Sequence, residues 1–253
     1  VISEGVSIWP LPGLPLIRAG DDLPALILRG LDDCGQTLAD GDVLVISSKI
    51  ISKSEGRIVD LQTVTPGHSA LDLAEKTGKD ARVVELVLQE SRSISRISRG
   101  VLVTTHRLGF TSANAGIDQS NVAGDDNIVL LLPLNPDETA KIIRDRIREQ
   151  AGVSVGIVIS DTHGRPFRMG NVGVAIGVCG LSAVLDLRGQ KDLFGRVMKI
   201  TQSGYADLVA SAAHLVCGEG DEGLPVVIVR GLAPTPEGAA RDLVRDPELD
   251  LYR

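Results

Sequence analysis

The chain has 253 residues, 43% of them apolar but only 2% aromatic, and a net charge of −7. That length allows one large domain or two small ones around an aliphatic core. Scarce aromatics and negative charge exclude a base-stacking platform and a phosphate-backbone binder, so no nucleic-acid partner is expected.

In chain order, "GDVLVISSK" (41–49) is a β-branched run opened by a turn, which predicts a buried strand. "DARVVELVLQESRSI" (80–94) has apolar residues at helical spacing and predicts a helix starting at Asp80. "RGVLVTTHRLGFTSANAG" (99–116) predicts a strand pair about a turn at His106 to Gly109. "NPDETAKIIRDRIREQAG" (135–152) predicts a helix, with Asn135 as cap, Pro136 at its first position and Gly152 as its stop. "VSVGIVISDT" (153–162) and the glycine-rich "MGNVGVAIGVCGL" (169–181) predict strands. A helix over 205–218 and a strong strand over 224–231 follow. The Pro-interrupted tail 233–253 predicts a short surface helix. Strands and helices mix without a clean βαβα repeat, so the expected class is α+β or mixed α/β. No apolar run reaches the roughly 18 residues of a membrane span, and no basic-then-apolar leader is present. A soluble, cytoplasmic protein with no membrane partner is therefore the expectation. Cys34, Cys179 and Cys217 are far apart, form neither a disulfide framework nor a zinc site, and are expected to be small buried apolar groups.

Four segments are poor core material. "SANAGIDQSN" (112–121) places one carboxylate, Asp118, among small amides and hydroxyls. "SDTHGRPFRMG" (160–170) follows an apolar run, which would put Asp161 and Thr162 just past the carboxyl end of a buried strand, where ligand sites gather. A carboxylate beside a hydroxyl supplies hard oxygen ligands suited to Mg²⁺ or Mn²⁺; an Asx-turn at the strand exit is the plainer alternative. "GEGDEG" (218–223) sets Glu219, Asp221 and Glu222 within four positions, a cluster that a cation relieves and that a solvated turn also tolerates. "SSKIISKSEGR" (47–57) repeats Lys49, Lys53 and Arg57 every four residues beside Ser47 and Ser48, a pattern that suits phosphate or a solvated face. There is no P-loop, no GxGxxG and no GxSxG elbow. His68, His106, His163 and His214 lack ligand spacing and are expected on the surface or bonded locally. Acidic segments around residues 118, 161 and 219, with one basic segment, are what a two-metal phosphoryl-transfer site requires.

Taken together, "LPGLPLIRAGDDL", "ISKSEGR", "NAGIDQSN", "SDTHGR" and "GEGDEG" resemble the coenzyme F-420 γ-glutamyl ligase family, in order and over nearly the whole chain. The resemblance implies a GTP-dependent ligase that needs Mn²⁺ or Mg²⁺ at two sites, often with K⁺. It also implies an unusual two-domain mixed α/β fold and an intertwined homodimer. The chain would then be one ligase unit over 1–253, in two closely packed subdomains. Some actinobacterial relatives carry an additional C-terminal flavin-binding domain, which has no counterpart here, as expected of a stand-alone form or a fragment. By motif, Asp118 and Asp161 resemble ligands of one metal, and Thr162 and Glu219 ligands of the second. Leu14, Pro15, Leu16, Ile17, Ser47, Ser48, Lys53 and Asn121 resemble GTP contacts, as do Cys217, Gly218, Glu219, Gly220, Asp221, Glu222, Gly223 and Leu224. Ser160 and His163 depart from the family's Thr-Asp-Thr-Asn-Gly-Arg and put in doubt only what the residue at 163 contacts.

The implied chemistry is phosphorylation of a carboxylate on the deazaflavin coenzyme precursor, then attack by the amine of L-glutamate, with later glutamates γ-linked. Asp118, Asp161 and Lys53 are the expected catalytic residues. A metal-dependent nucleotide phosphohydrolase and a non-catalytic GTP-binding subunit are the alternatives.

Overall fold

In the computed structural model, which describes residues 5–122 and 124–250, the strands are β1 (Ser7–Pro10), β2 (Val43–Ser47), β3 (Ile58–Asp60), β4 (Ser91–Ser98), β5 (Val101–His106), β6 (Thr111–Ala113), β7 (Ile128–Leu130), β8 (Gly156–Arg165), β9 (Arg168–Cys179), β10 (Val184–Asp186), β11 (Gln202–Gly204) and β12 (Val226–Arg230). The helices are α1 (Leu23–Asp33), α2 (Ser48–Ser54), α3 (His68–Thr77), α4 (Ala81–Gln89), α5 (Pro136–Ala151) and α6 (Tyr205–Cys217). The fold is mixed α/β, as expected.

A five-stranded sheet in the order β1-β12-β2-β8-β9 organises the molecule. Only β2 and β8 are parallel; the other pairs are antiparallel. Both faces are covered, which is why the central strands read as unbroken β-branched runs. Leu44, Ile46, Ile157, Ile159 and Ile228 bury one face with residues of α1 and α5. Val43, Val45, Val158, Val227 and Val229 bury the other with Ala206, Val209, Ala210 and Ala213 of α6. A third cluster, including Leu61, Val84, Val87, Leu102 and Val129, draws α3, α4 and the smaller sheets together.

Two glycines set the distance between β9 and its helices. A methyl group at Gly173 would fall 2.7 Å from the Ala210 carbonyl oxygen in α6, and one at Gly177 would fall 2.6 Å from that of Pro136 in α5. Four residues apart on a regular strand, they would face the same side. A register shift, where Ile159 pairs with Gly177 and Ser160 with Ala175, inserts one residue and turns them to opposite sides.

Several boundaries differ from the sequence expectation. The run 41–49 ends as strand at Ser47, whose hydroxyl accepts from the Lys49 amide and opens α2. The helix predicted over 80–94 stops at Gln89; the Ser-rich remainder is β4, consistent with serine's preference for turns and caps over helix interiors. The pair over 99–116 is β5 and β6, but its end is a 3-10 turn in which Asn114 and Ala115 have φ of 50° and 53°. Asp161 and Thr162 do not lie past a strand end, because β8 continues to Arg165 paired with β9. They lie beyond the parallel pair instead, since β2 stops opposite Ser160. Cys34 is exposed and Cys179 and Cys217 are half-buried rather than core groups; Cys34 caps the end of α1. The tail forms two 3-10 turns, Ala240–Leu243 and Pro247–Leu249, and its last three positions lie outside the described residues. Among the described residues no helix is long and apolar enough to cross a membrane.

Candidate functional site

The carboxyl ends of β2 and of the parallel part of β8 open into a cleft of about 810 Å³. The segments that were unsuited to the core meet there. Leu14, Pro15, Leu16 and Ile17 line it from the stretch before α1, and Ser47, Ser48 and Lys53 from the β2–α2 junction. Asp118 and Asn121 come from the loop after β6, Asp161 and Thr162 from β8, and residues 217–224 from the exit of α6. The expected metal-ligand, nucleotide-contact and catalytic residues all border this one space, whereas Arg57 of the basic pattern turns away to Glu90.

Their side chains are already engaged with one another. Lys49 Nζ lies 2.6 Å from Asp118 Oδ2, and the Ser120 amide and hydroxyl donate to Asp118 Oδ1 at 2.8 and 2.7 Å. Burial alone would raise the Asp118 carboxyl, but Lys49 and Ser120 outweigh it and hold it below its ordinary value. Lys53 donates to the Asn121 carbonyl at 2.7 Å; burial, then repulsion from Lys49, lowers its ammonium. Asn121, at φ 56°, donates through Nδ2 to the Gly220 carbonyl at 2.9 Å and so ties the loop after β6 to the acidic loop after α6.

On the opposite wall Ser48 donates to Asp161 Oδ1 at 3.0 Å, and His163 Nε2 lies 3.0 Å from Asp161 Oδ2. Thr162 donates to Glu219 Oε1 at 3.2 Å. His214, on the last turn of α6, has Nδ1 3.0 Å from the same Glu219 oxygen and Nε2 3.1 Å from Ser160 Oγ. Ser160 is only 3% exposed, inside a strand rather than on a sharp turn, so this Ser–His–Glu chain orients Glu219 and does not present a nucleophile. The Cys217 thiol, raised first by burial and then by Glu219, points to the Gly218 carbonyl.

Lys49, Ser160 and His214 also border the cleft, although none was among the expected ligand or catalytic residues. Lys49 carried only a charge-pattern signal. His214 carried none beyond its place one turn before the acidic loop. His68 and His106 stay away from the cleft, the first exposed and the second buried.

The donors facing the cleft are carboxylate and hydroxyl oxygens, the chemistry of a hard divalent cation. Among the described residues no three His, Cys, Asp or Glu side chains group closely enough to cage an ion. Mg²⁺ needs no such cage, because it is held by one or two carboxylates with water and substrate phosphates. Asp161 beside Ser48, and Glu219 beside Thr162, fit that mode.

Residues 13–231 match the family model described as F420-0:Gamma-glutamyl ligase. The chain is similar to the coenzyme F420:L-glutamate ligase of Methanothermobacter thermautotrophicus, 46% identical over 98% of this chain and 99% of the relative. It is likewise 46% identical to that of Methanopyrus kandleri, over 97% of each chain. The protein of the same name from Methanocaldococcus jannaschii is 44% identical over 95% of this chain and 94% of its own.

Proposed function

The chain belongs to the F420-0:gamma-glutamyl ligase family, and from that premise we propose that it joins L-glutamate to a carboxylate of the coenzyme F420 precursor at the expense of GTP. The precursor's carboxylate oxygen attacks the γ-phosphorus, GDP leaves, and an acyl phosphate forms. The amine of L-glutamate then attacks the acyl carbon and expels phosphate, leaving an amide; further glutamates add through the γ-carboxylate of the last one. The observation that carries this reading is the convergence, in one cleft, of Lys49 and Lys53 with Asp118, Asp161 and Glu219 from four distant segments. A cleft of about 810 Å³ is also large enough for a nucleotide and part of an acceptor.

Lys53 and Lys49 would hold nucleotide phosphates by charge-assisted hydrogen bonds. Asn121, already bridging two loops, would fix the nucleotide's place. Asp118 and Asp161, and Thr162 with Glu219, would hold two Mn²⁺ or Mg²⁺ ions, with K⁺ as an accessory. Such cations supply charge neutralisation for the phosphates and Lewis acidity at the transferred group. A homodimer belongs to the same reading; exposed Phe167, Met169, Leu193 and Phe194, which a monomer would leave in water, support it.

Mass spectrometry of a reaction containing deazaflavin precursor, GTP, Mn²⁺ and L-glutamate tests the proposal. The product should gain glutamyl residues, with one GDP formed for each. GTP hydrolysis indifferent to both precursor and glutamate would instead identify a phosphohydrolase, and GTP binding without turnover a binding subunit.

A further inference from the structure

A second cleft, of about 440 Å³, is lined by His163 and by β9 from Val174 to Ile176. The amino end of α5 and the 3-10 turn at Ala240–Leu243 close its other sides. Arg92, Arg107, Arg241 and Arg245 all line it. Arg107 is fixed in place: its Nε donates to Glu90 at 2.9 Å, and its two terminal nitrogens donate to the Leu134 and Pro133 carbonyls at 2.7 and 2.8 Å. Glu90 also faces Arg57 at 2.8 Å, so a single carboxylate stands between two guanidinium groups and the cluster keeps a positive charge.

Three carboxylates line this cleft, Asp137, Asp207 and Asp250, against four arginines, and the first two are turned toward the main chain. Asp137 Oδ1 accepts from the amides of Val178 and Ala240, both at 2.8 Å, and Asp207 Oδ1 accepts from that of Ala175 at 2.8 Å. Arg92, Arg241 and Arg245 are exposed and make no ion pair among the described residues. The first cleft has the opposite character: Asp118, Asp161, Glu219, Asp221 and Glu222 outnumber Lys49 and Lys53. The guanidinium groups of the second cleft suit a free carboxylate ligand by charge.

The two clefts adjoin at the His163–Asp161 pair. His163 lines the second, while its Nε2 bonds Asp161 of the first; Phe110 packs on the His163 ring with centroids 5.0 Å apart. We propose that the second cleft receives the incoming α-amino dicarboxylate, its carboxylates held by Arg107, Arg241 and Arg245, and presents its amine past His163 to the acyl phosphate in the first cleft. This rests on the ligase reading above. In that step the amine nitrogen bonds the acyl carbon and the carbon–oxygen bond to phosphate breaks, phosphate leaving with the electron pair. Of the two protons the ammonium loses, one goes to phosphate and one to solvent.

Steady-state kinetics with L-glutamate as the varied substrate tests the assignment, on the full chain and on its R241Q/R245Q and R92Q variants. The double variant should raise KM for glutamate at least about tenfold, leave KM for GTP within about twofold, and keep kcat at saturating glutamate within about threefold. An R241K/R245K variant, which keeps charge but not the planar fork, should fall between. R92Q, on a separate element, should raise KM for glutamate by a smaller factor and covers the case of a double variant that does not fold. An unchanged KM for glutamate in the folded variants, or an equal rise for GTP, overturns the assignment while the ligase reading stands. Failure of the unaltered protein to form any amide overturns both.

Discussion

Asp118 and Asp161 face one cleft but are held differently. Asp118 is paired with Lys49 and is about one-third exposed, whereas Asp161 is more enclosed and bonded by Ser48 and His163. An exposed pair of that kind adds little to stability. On the proposed reading, Asp118→Asn and Asp161→Asn should each lower turnover by about 100-fold or more while the melting temperature moves little, because each removes a carboxylate that would hold a divalent cation at the phosphates. Near-normal activity of either variant at limiting Mn²⁺ would count decisively against the site. Glu90 has the opposite profile. Burial would raise its carboxyl, yet His106, Arg57 and Arg107 together bring it down to about 2. A carboxylate depressed in the folded state stabilises fully above its unfolded value near 4.5, and that contribution is lost as pH falls toward 2. The shift corresponds to roughly 3 kcal/mol. Buried His106, whose ring is lowered chiefly by burial, adds a loss that begins below its ordinary 6.5, where the unfolded chain takes up the proton first. Urea midpoints measured from pH 7 to pH 3 should thus fall on acidification. Glu90→Gln should be destabilised by about 3–5 kcal/mol at pH 7, since two arginines lose their anion, and by less at pH 3. A pH-independent gap between the two proteins would contradict this account of Glu90.

Among the elements, β2, β8 and β12 were legible in the sequence because each is covered on both faces and so reads as a continuous β-branched run. α5 was legible because Pro136 and Gly152 punctuate it. By contrast, β4 is exposed along almost its whole length, so no core-facing pattern marks it and its Ser-Arg-Ile run merged with α4. α2 has only seven residues, and α3 buries only Ala70, Leu73 and Thr77, too few to set a helical period apart. The glycine-rich β9 was recognised as a strand in close contact with other backbone, and the structure identifies the contacts: Gly173 on α6 and Gly177 on α5. It is also an edge strand whose outward amides at Ala175 and Val178 are satisfied by Asp207 and Asp137, which blocks further pairing there. Gly173→Ala should push α6 outward, because the new methyl would meet a backbone carbonyl as well as the His214 ring. Overpacking of this kind costs about 1–3 kcal/mol, and shifting His214 should also loosen Glu219. Thermal unfolding with parallel activity assays checks both parts; a variant as stable and active as the parent would mean that the helix accommodates the methyl freely.

At the scale of the whole molecule, the site is assembled from residues between 14 and 224, and only chain topology brings them together. The carboxylates were legible because acidic, glycine-bounded loops are costly without a ligand. Lys49, Ser160 and His214 were not, since each is a single ordinary side chain until β2, β8 and α6 converge. Neither Ser160, buried in β8, nor the Cys217 thiol, turned to a carbonyl, is presented as a nucleophile. The proposed reading is carboxylate activation by phosphoryl transfer rather than an acyl-enzyme. The consequence can be traced through one atom. If the precursor's carboxylate attacks phosphorus, the oxygen that bridges to phosphorus in the acyl phosphate departs with phosphate when glutamate's amine attacks. A precursor labelled with ¹⁸O in that carboxyl group should therefore yield ¹⁸O-labelled inorganic phosphate in step with amide formation. A hydrolase would place solvent oxygen in phosphate whatever the precursor carried. Amide formed alongside unlabelled phosphate would exclude the acyl-phosphate route while leaving family membership untouched.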